Sequence, residues 1–292
     1  MKIVNFGSLN LDYIYRVEHI GGQGETLAAS SRDVFCGGKG LNQSIALARA
    51  GAKVYHAGCI GEDGSMLLTA LEEAGVDCTH VRTLEGPSGH AVIQVEDSGQ
   101  NAILLFGGAN QTMTSGFVDE VLGVFDAGDI LLLQNEINLL SEIVDKAYAR
   151  GLKIALNPSP YNDRLQDVDL NKISIFLLNE VEGEQMTGER EPANILQKLT
   201  EQYSGAEIVL TLGEAGALYG CGQRVCRQEA YSVQAVDTTG AGDTFTGYFL
   251  ASLTEGREIP DCLRLAAKAA SIAVTRSGAA PSIPLRAEAE LF

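Results

Sequence analysis

Strand-like and helix-like runs alternate along most of this chain, and that alternation constrains its fold more than any other feature. Ile3–Gly7 reads as a buried strand, followed by a helix near Gly40–Ala50, a strand at Lys53–Ile60 and a helix near Gly64–Ala74. The rhythm returns with strand Ile130–Leu133, helix Leu139–Arg150, strand Lys153–Leu156, strand Ile175–Leu178 and helix Glu180–Met186. Helix Ala193–Tyr203 and strand Ile208–Leu212 follow, and the last two helices are expected over roughly Ala241–Leu253 and Asp261–Thr275. Such alternation predicts an α/β fold, a mostly parallel central sheet with helices on both faces. Ligands then belong at the carboxyl ends of the strands. No repeat or Pro/Ser linker divides the 292 residues, so one domain spanning residues 1–292 is expected.

Two stretches break the rhythm. Tyr13–Val17 with Thr26–Phe35, and His90–Val95 with Ala102–Phe106, alternate with period two and have no helix inside either pair. These insertions, about residues 12–36 and 88–107, would pair into a small β-sheet projecting as a lid, or else extend the main sheet in antiparallel fashion. A projecting sheet needs one face covered, which makes a homodimer through the lid an expectation.

The formal charge of −17 argues against nucleic acid or an anionic membrane as partner. A bound polyphosphate must therefore find local positive potential in backbone amides, a metal and a few side chains. No run reaches the roughly 18 apolar residues that would span a bilayer. The first residues lack a signal-peptide pattern, so a cytoplasmic protein is expected. Six cysteines form no Cys-x-x-Cys pair and four histidines show no ligand spacing, which reads as reduced structural thiols. Cys221 and Cys226 could face each other across a short hairpin.

Asp237-Thr238-Thr239-Gly240-Ala241-Gly242-Asp243 precedes the apolar run Thr244–Leu253 and reads as a tight turn opening a helix. The first amides of a helix lack partners and its dipole makes that end positive, so the turn is a ready anion hole. An aspartate at its lip competes with the anion for those amides if it serves stability alone. It is well placed to take a proton from a hydroxyl attacking a phosphoryl group held there. A dinucleotide oxidoreductase is disfavoured, because no Gly-x-Gly-x-x-Gly fingerprint follows the first strand.

Asp237–Phe245 resembles the second signature of the ribokinase-type (PfkB) carbohydrate kinases, and Gly37-Gly38-Lys39-Gly40-Leu41-Asn42-Gln43 resembles their first. The second string lacks the spacing and the Ser/Thr of a Walker A loop. The likeness runs the length of the chain and implies a three-layer sandwich with a β-lid over the sugar. It implies Asp243 as catalytic base, with Gly240, Ala241 and Gly242 completing the anion hole. Asn10, Asp12, Gly38, Lys39, Asn42 and Glu136 would contact the sugar. Asn179, Thr211, Gly213, Glu214, Gly216 and Gly242 would line the ATP site, with Glu182 holding Mg²⁺ through water. Asp237, Thr239, Ala273, Arg276, Gly278 and Ser282 would bind K⁺, mostly through carbonyls.

Taken alone, the same residues fit plainer roles. Asn10 and Asp12 fit an Asx turn, Lys39 a surface charge at a glycine-rich helix entry, and Glu136 a loop acid. Asn179 and Glu182 fit a helix cap, and Thr211–Gly216 a glycine turn. The resemblance implies ATP-dependent phosphorylation of a sugar primary hydroxyl, with D-ribose favoured. Deoxyribose, fructose, adenosine or pseudouridine as acceptor, or a silent sugar-binding regulator, are the alternatives. The sequence departs from the family pattern at Asn135 and His90, where apolar residues are usual. It departs also at Asn138, usually proline, and at Ala267, often Asn or His near adenine.

Overall fold

The computed structural model describes residues 1–96 and 98–292. In chain order the elements are β1 (Ile3–Phe6), β2 (Asn10–Val17), β3 (Ser31–Gly37), α1 (Lys39–Arg49), β4 (Val54–Ile60), α2 (Ser65–Glu73), β5 (Asp77–Thr83), β6 (Gly89–Glu96), β7 (Asn101–Phe106), α3 (Ser115–Leu122) and β8 (Ile130–Gln134). There follow α4 (Leu140–Ala149), β9 (Lys153–Asn157), β10 (Ile175–Asn179), α5 (Glu180–Thr187), α6 (Pro192–Gln202), β11 (Glu207–Thr211), β12 (Ala217–Cys221), β13 (Arg224–Gln228), α7 (Ala241–Thr254), α8 (Ile259–Ala273) and α9 (Arg286–Leu291).

The large sheet runs β13-β12-β11-β10-β9-β8-β1-β4-β5 and is parallel from β11 to β5. Its apolar strands alternate strictly between two cores. Ile3, Ile130, Leu132, Ala155, Leu177 and Val209 face the core that α1, α7 and α8 complete. Val4, Leu131, Leu133, Ile154, Phe176 and Leu210 face the core beneath α3, α4 and α6. This two-sided burial explains why the central strands read as continuous apolar runs.

A second sheet of order β3-β2-β6-β7 joins the two predicted insertions, with β2 pairing β6 in parallel from Asn10↔Gly89 to Val17↔Glu96. The second strand of its first hairpin starts later than expected, at Ser31, and Thr26–Ser30 is irregular. Three further elements, β5, α3 and α9, were not anticipated. β5 is a half-exposed, polar edge strand without an apolar run, and α3 is short. The β12–β13 hairpin closes one end of the large sheet in antiparallel fashion, and α9 follows the helix expected to be last. In the hairpin Cys221 pairs Arg224 and Cys226 pairs Tyr219, so the two thiols are out of register, and both are free. Among the described residues no helix is long and apolar enough to cross a membrane.

Helix α7 is buried continuously from Asp243 to Ser252, as expected of a helix apolar on all sides. It lies against α1 at a crossing of small residues, where a Cβ on Gly247 would come within 2.4 Å of the Ala46 Cβ and 2.8 Å of its carbonyl carbon. Gly247→Ala should therefore destabilise the protein by about 1–3 kcal/mol despite its better helix propensity. Urea unfolding checks this, and a variant as stable as the parent would show that the two helices can part freely.

Candidate functional site

The site gathers where α1 and α7 begin, above the carboxyl ends of β1, β8 and β9. At the entry to α1, Gly38 has φ +93°, a left-handed conformation that side chains resist. Its neighbour Gly37 lies against Asp12, so a Cβ there would fall 2.0 Å from Asp12 Oδ2. The glycine pair thus lets the strand end pass directly over a carboxylate.

Around that entry the residues expected to contact a sugar converge. Asn10 and Asp12 lie on the first residues of β2, just past the end of β1 rather than on it. Asn10 Oδ1 accepts from Asn110 Nδ2 at 2.7 Å, and Asn110 Oδ1 accepts from the Leu9 N–H at 2.9 Å. Asn10 is thereby turned so that its own amide N–H groups remain to be offered. Glu136 Oε2 accepts from Ser8 Oγ and from the Lys39 backbone N–H at 3.1 Å. Burial, then the neighbouring Glu136 charge, push the Asp12 carboxyl up to about 7. Burial also raises Glu136, with Lys39 opposing. For Lys39, burial favours the neutral amine, but the Asp243, Glu136 and Glu182 carboxylates outweigh it and the net shift is upward.

Asp243 is buried in the first turn of α7. Its Oδ2 accepts from Asn42 Nδ2 at 3.0 Å and its Oδ1 from Gln43 Nε2 at 2.8 Å. Asn42 Oδ1 is buried without a donor, a lone acceptor beside the carboxylate. Behind Gln43 lie Gln134 of β8 and Asn157 of β9, with Asn5 of β1 one bond further. Sequence reasoning passed over Asn5, Ser8, Asn110, Gln134 and Asn157 and gave Gln43 no role. The signal was a single polar residue in phase at the end of apolar strands, as in Leu131-Leu132-Leu133-Gln134 and Ile154-Ala155-Leu156-Asn157.

A cleft of about 470 Å³ opens beside the Gly240–Asp243 turn. Ala241 and Gly242 line it, as do Thr211, Gly213, Glu214 and Gly216 from the loop after β11. Phe245, Ala267, Ala270 and Val274 give it an apolar wall. A Cβ on Gly242 would meet nothing within 4 Å, so that amide borders open space. Of the turn's amides, Ala241 donates to the Thr238 carbonyl at 3.2 Å, while Gly240, Gly242 and Asp243 have no acceptor among the described residues. Asn179 stands outside the cleft lining but pairs with Thr211 in the sheet. It forms a capping box with Glu182, each side chain bonding the other's N–H at 2.9–3.0 Å.

Asp237 ties the two C-terminal loops together. Its Oδ2 accepts from the Gly278 N–H at 2.8 Å and its Oδ1 from Thr239 N and Oγ1 at 2.9 and 2.6 Å. The Val236 and Asp237 N–H groups both reach the Val274 carbonyl. Ala273 and Arg276 lie in the adjoining turn. Ser282 is turned to the Ala279 carbonyl, and the Arg276 guanidinium to Glu288. The family departures also have partners. Asn135 donates to the Pro160 carbonyl at 2.7 Å, and Asn138 brackets Met113 by accepting its N–H and donating to its carbonyl. His90 packs between the rings of Tyr13 and Phe106 in the smaller sheet.

Residues 1–286 match the pfkB family of carbohydrate kinases. Over 294 residues the chain is 36% identical to a ribokinase of Haemophilus influenzae, covering 97% of this chain and 95% of that one. An Arabidopsis thaliana ribokinase complexed with ribose and ATP is similar with a TM-score of 0.88 and 32% identity, covering 99% of this chain and 97% of that one. A Cryptococcus neoformans ribokinase in complex with ADP is similar with a TM-score of 0.89 and 32% identity, covering 99% of each chain. The fold is thus the ribokinase-like one.

The Asp12 shift has a consequence for stability. The folded protein holds the Asp12 proton up to about pH 7 whereas the unfolded chain releases it near 4, so the ligand-free protein loses stability as pH rises through that window. Asp12→Asn should raise Tm by about 2–4 °C at pH 8 and leave it unchanged near pH 4. An equal difference at both pH values in a thermal scan would show that Asp12 does not titrate there.

Proposed function

The chain belongs to the pfkB family of carbohydrate kinases, and on that premise we propose that it phosphorylates the primary hydroxyl of D-ribose with ATP, giving ribose 5-phosphate and ADP. One observation carries the reading: the buried Asp243 carboxylate follows the cleft-lining Gly242, accepts from Asn42 and lies near enough to Glu136 for their charges to interact.

In this reading the sugar lies between amide donors and carboxylate acceptors. Asn10 donates to a hydroxyl oxygen, and Asp12 and Glu136 accept hydrogen bonds from hydroxyl groups. Gly38 and Lys39 close the same side. Asp243 accepts the proton of the attacking hydroxyl as the new O–P bond forms and the bond to the leaving ADP oxygen breaks. The transition state is loose, so orientation by Asp243 matters as much as basicity. The free amides of Gly240, Gly242 and Asp243 stabilise the transferring phosphoryl group. Thr211, Gly213, Glu214 and Gly216 border the nucleotide, and the apolar wall around Ala267 receives the base. Asn179 supports this edge from the next strand.

Two ions belong to the proposal. Magnesium takes few protein carboxylates, and Glu182 keeps one oxygen outside its capping bond for a metal-held water. When bound, Mg²⁺ neutralises charge on the phosphates. K⁺ would be held where Asp237 ties the two C-terminal loops together, by Asp237, Thr239, Ala273, Arg276, Gly278 and Ser282, mostly through main-chain carbonyls. Among the described residues no cluster of three or more His, Cys, Asp or Glu competes as a metal centre.

The smaller sheet serves as a lid on a single kinase domain and keeps water from the phosphoryl group. Its outer strand β7 exposes Ile103, Leu104, Leu105 and Phe106, each more than half accessible, which supports a homodimer through that face. ATP as donor makes the cytoplasm the natural location.

Asp243→Asn should lower turnover by roughly 10²–10⁴-fold while calorimetry still finds ribose and ATP bound. Turnover near the parent's would remove Asp243 from this role. Coupled ADP release across ribose, deoxyribose, fructose, adenosine and pseudouridine, with and without K⁺, tests the acceptor. Ribose should give the highest kcat/KM, and preference for another acceptor would correct it.

A further inference from the structure

We propose that Gln43 is a positioning residue for phosphoryl transfer, holding the Asp243 carboxylate in its working orientation through a chain of buried amides whose polarity is fixed at both ends. The proposal rests on the reading of Asp243 as the proton acceptor.

The chain begins at two backbone carbonyls, which can only accept. Asn5 Nδ2 donates to the Gly40 carbonyl at 2.8 Å, so Asn5 Oδ1 is left to accept from Gln134 Nε2 at 2.9 Å. Gln134 Nε2 gives its other proton to Gln43 Oε1 at 2.7 Å. On the far side Asn157 Nδ2 donates to the Leu177 carbonyl at 2.8 Å, which leaves Asn157 Oδ1 to accept from Gln43 Nε2 at 3.1 Å. Both sides thus require that Gln43 present Nε2, and not Oε1, to Asp243 Oδ1. A reversed amide would set oxygen against the carboxylate and break two further bonds.

This arrangement is a poor choice for stability alone. Asn5, Gln43 and Gln134 are fully buried between the sheet and α1, and Gln134 Oε1 has no donor. Apolar side chains in phase with Ile3, Leu132 and Ala155 would fill the same layer without leaving a polar atom unpaired. Broken local rules of this kind gather at functional sites. With Oδ1 held by Gln43 and Oδ2 by Asn42, the carboxylate plane cannot rotate, and one lone pair on each oxygen stays free for a hydroxyl. A carboxylate able to swing would spend part of its time misdirected, and small misplacements of a reacting group lower rates by up to about 10²-fold.

The test measures kcat together with equilibrium binding of ribose and ATP for Gln43→Met, which keeps the length of the side chain but donates nothing. The expected result is a kcat lower by about 10- to 100-fold, with both dissociation constants within about threefold of the parent. In the Asp243→Asn background the same substitution should lower kcat less than about twofold further, since the group it positions is already gone. A kcat within threefold of the parent, or an equal loss in both backgrounds, overturns the proposal. Should Gln43→Met fail to fold, Gln134→Met takes its place, with about 3- to 10-fold lower kcat expected, unchanged binding and the same non-additivity with Asp243→Asn. Failure of this proposal stays distinct from failure of the underlying reading, because only the latter predicts anything for Asp243→Asn alone.

Discussion

The close, parallel approach of α1 and α7 is the contact on which the candidate site depends. Gly247 lies one turn below Asp243, and Ala46 one turn below Asn42, so the tight crossing of small residues sets the distance at which the Asn42–Asp243 bond can form. It also sets two helix amino-termini side by side. Both bring the positive end of a dipole to the same place, and the α7 terminus adds the unpartnered N–H groups of Gly242 and Asp243. In a chain of formal charge −17 this concentrates positive potential without a basic surface, and Lys39 adds an ammonium held by the Asp243, Glu136 and Glu182 charges.

What the sequence disclosed, and what it hid, follows from which interactions leave a mark on residue type. The glycine turns were legible because a left-handed backbone, as at Gly38 and Gly240, strongly favours glycine. The central strands were legible because burial on both faces demands unbroken apolar runs. The edge strands β5 and β13 were less so, because half-exposed strands tolerate Thr, Arg and Gln. The amide layer was missed because one Asn or Gln after an apolar run looks like the end of a strand. Its meaning lies in phase, since Asn5, Gln134 and Asn157 fall on the α1 side of three neighbouring strands. Carbonyl ligands leave no mark at all, so the loops around Asp237 and Gly278 stood on family likeness.

The departures from the family pattern show how one contact replaces another. Asn138 stands where proline is usual, and its amide clasps Met113 from both backbone groups. Its own N–H reaches the Asn110 carbonyl at 3.3 Å. The turn that carries Asn110, and through it the orientation of Asn10, is therefore anchored by side-chain bonds where ring rigidity would otherwise act. Asn135 similarly reaches Pro160 and Asn162. Each exchange keeps the loop in place by a different physical means.

The smaller sheet has a further consequence for how the chain matures. Its four strands, with β1, β4 and β5, all lie within the first 106 residues, whereas the turn at Gly240–Asp243 follows much later in the sequence. Domains assemble from the amino-terminus as they leave the ribosome. A chain stopped before that turn therefore carries the Asn10 and Asp12 side of the candidate site but neither the Asp243 carboxylate nor the positive end of α7 that lies beside it.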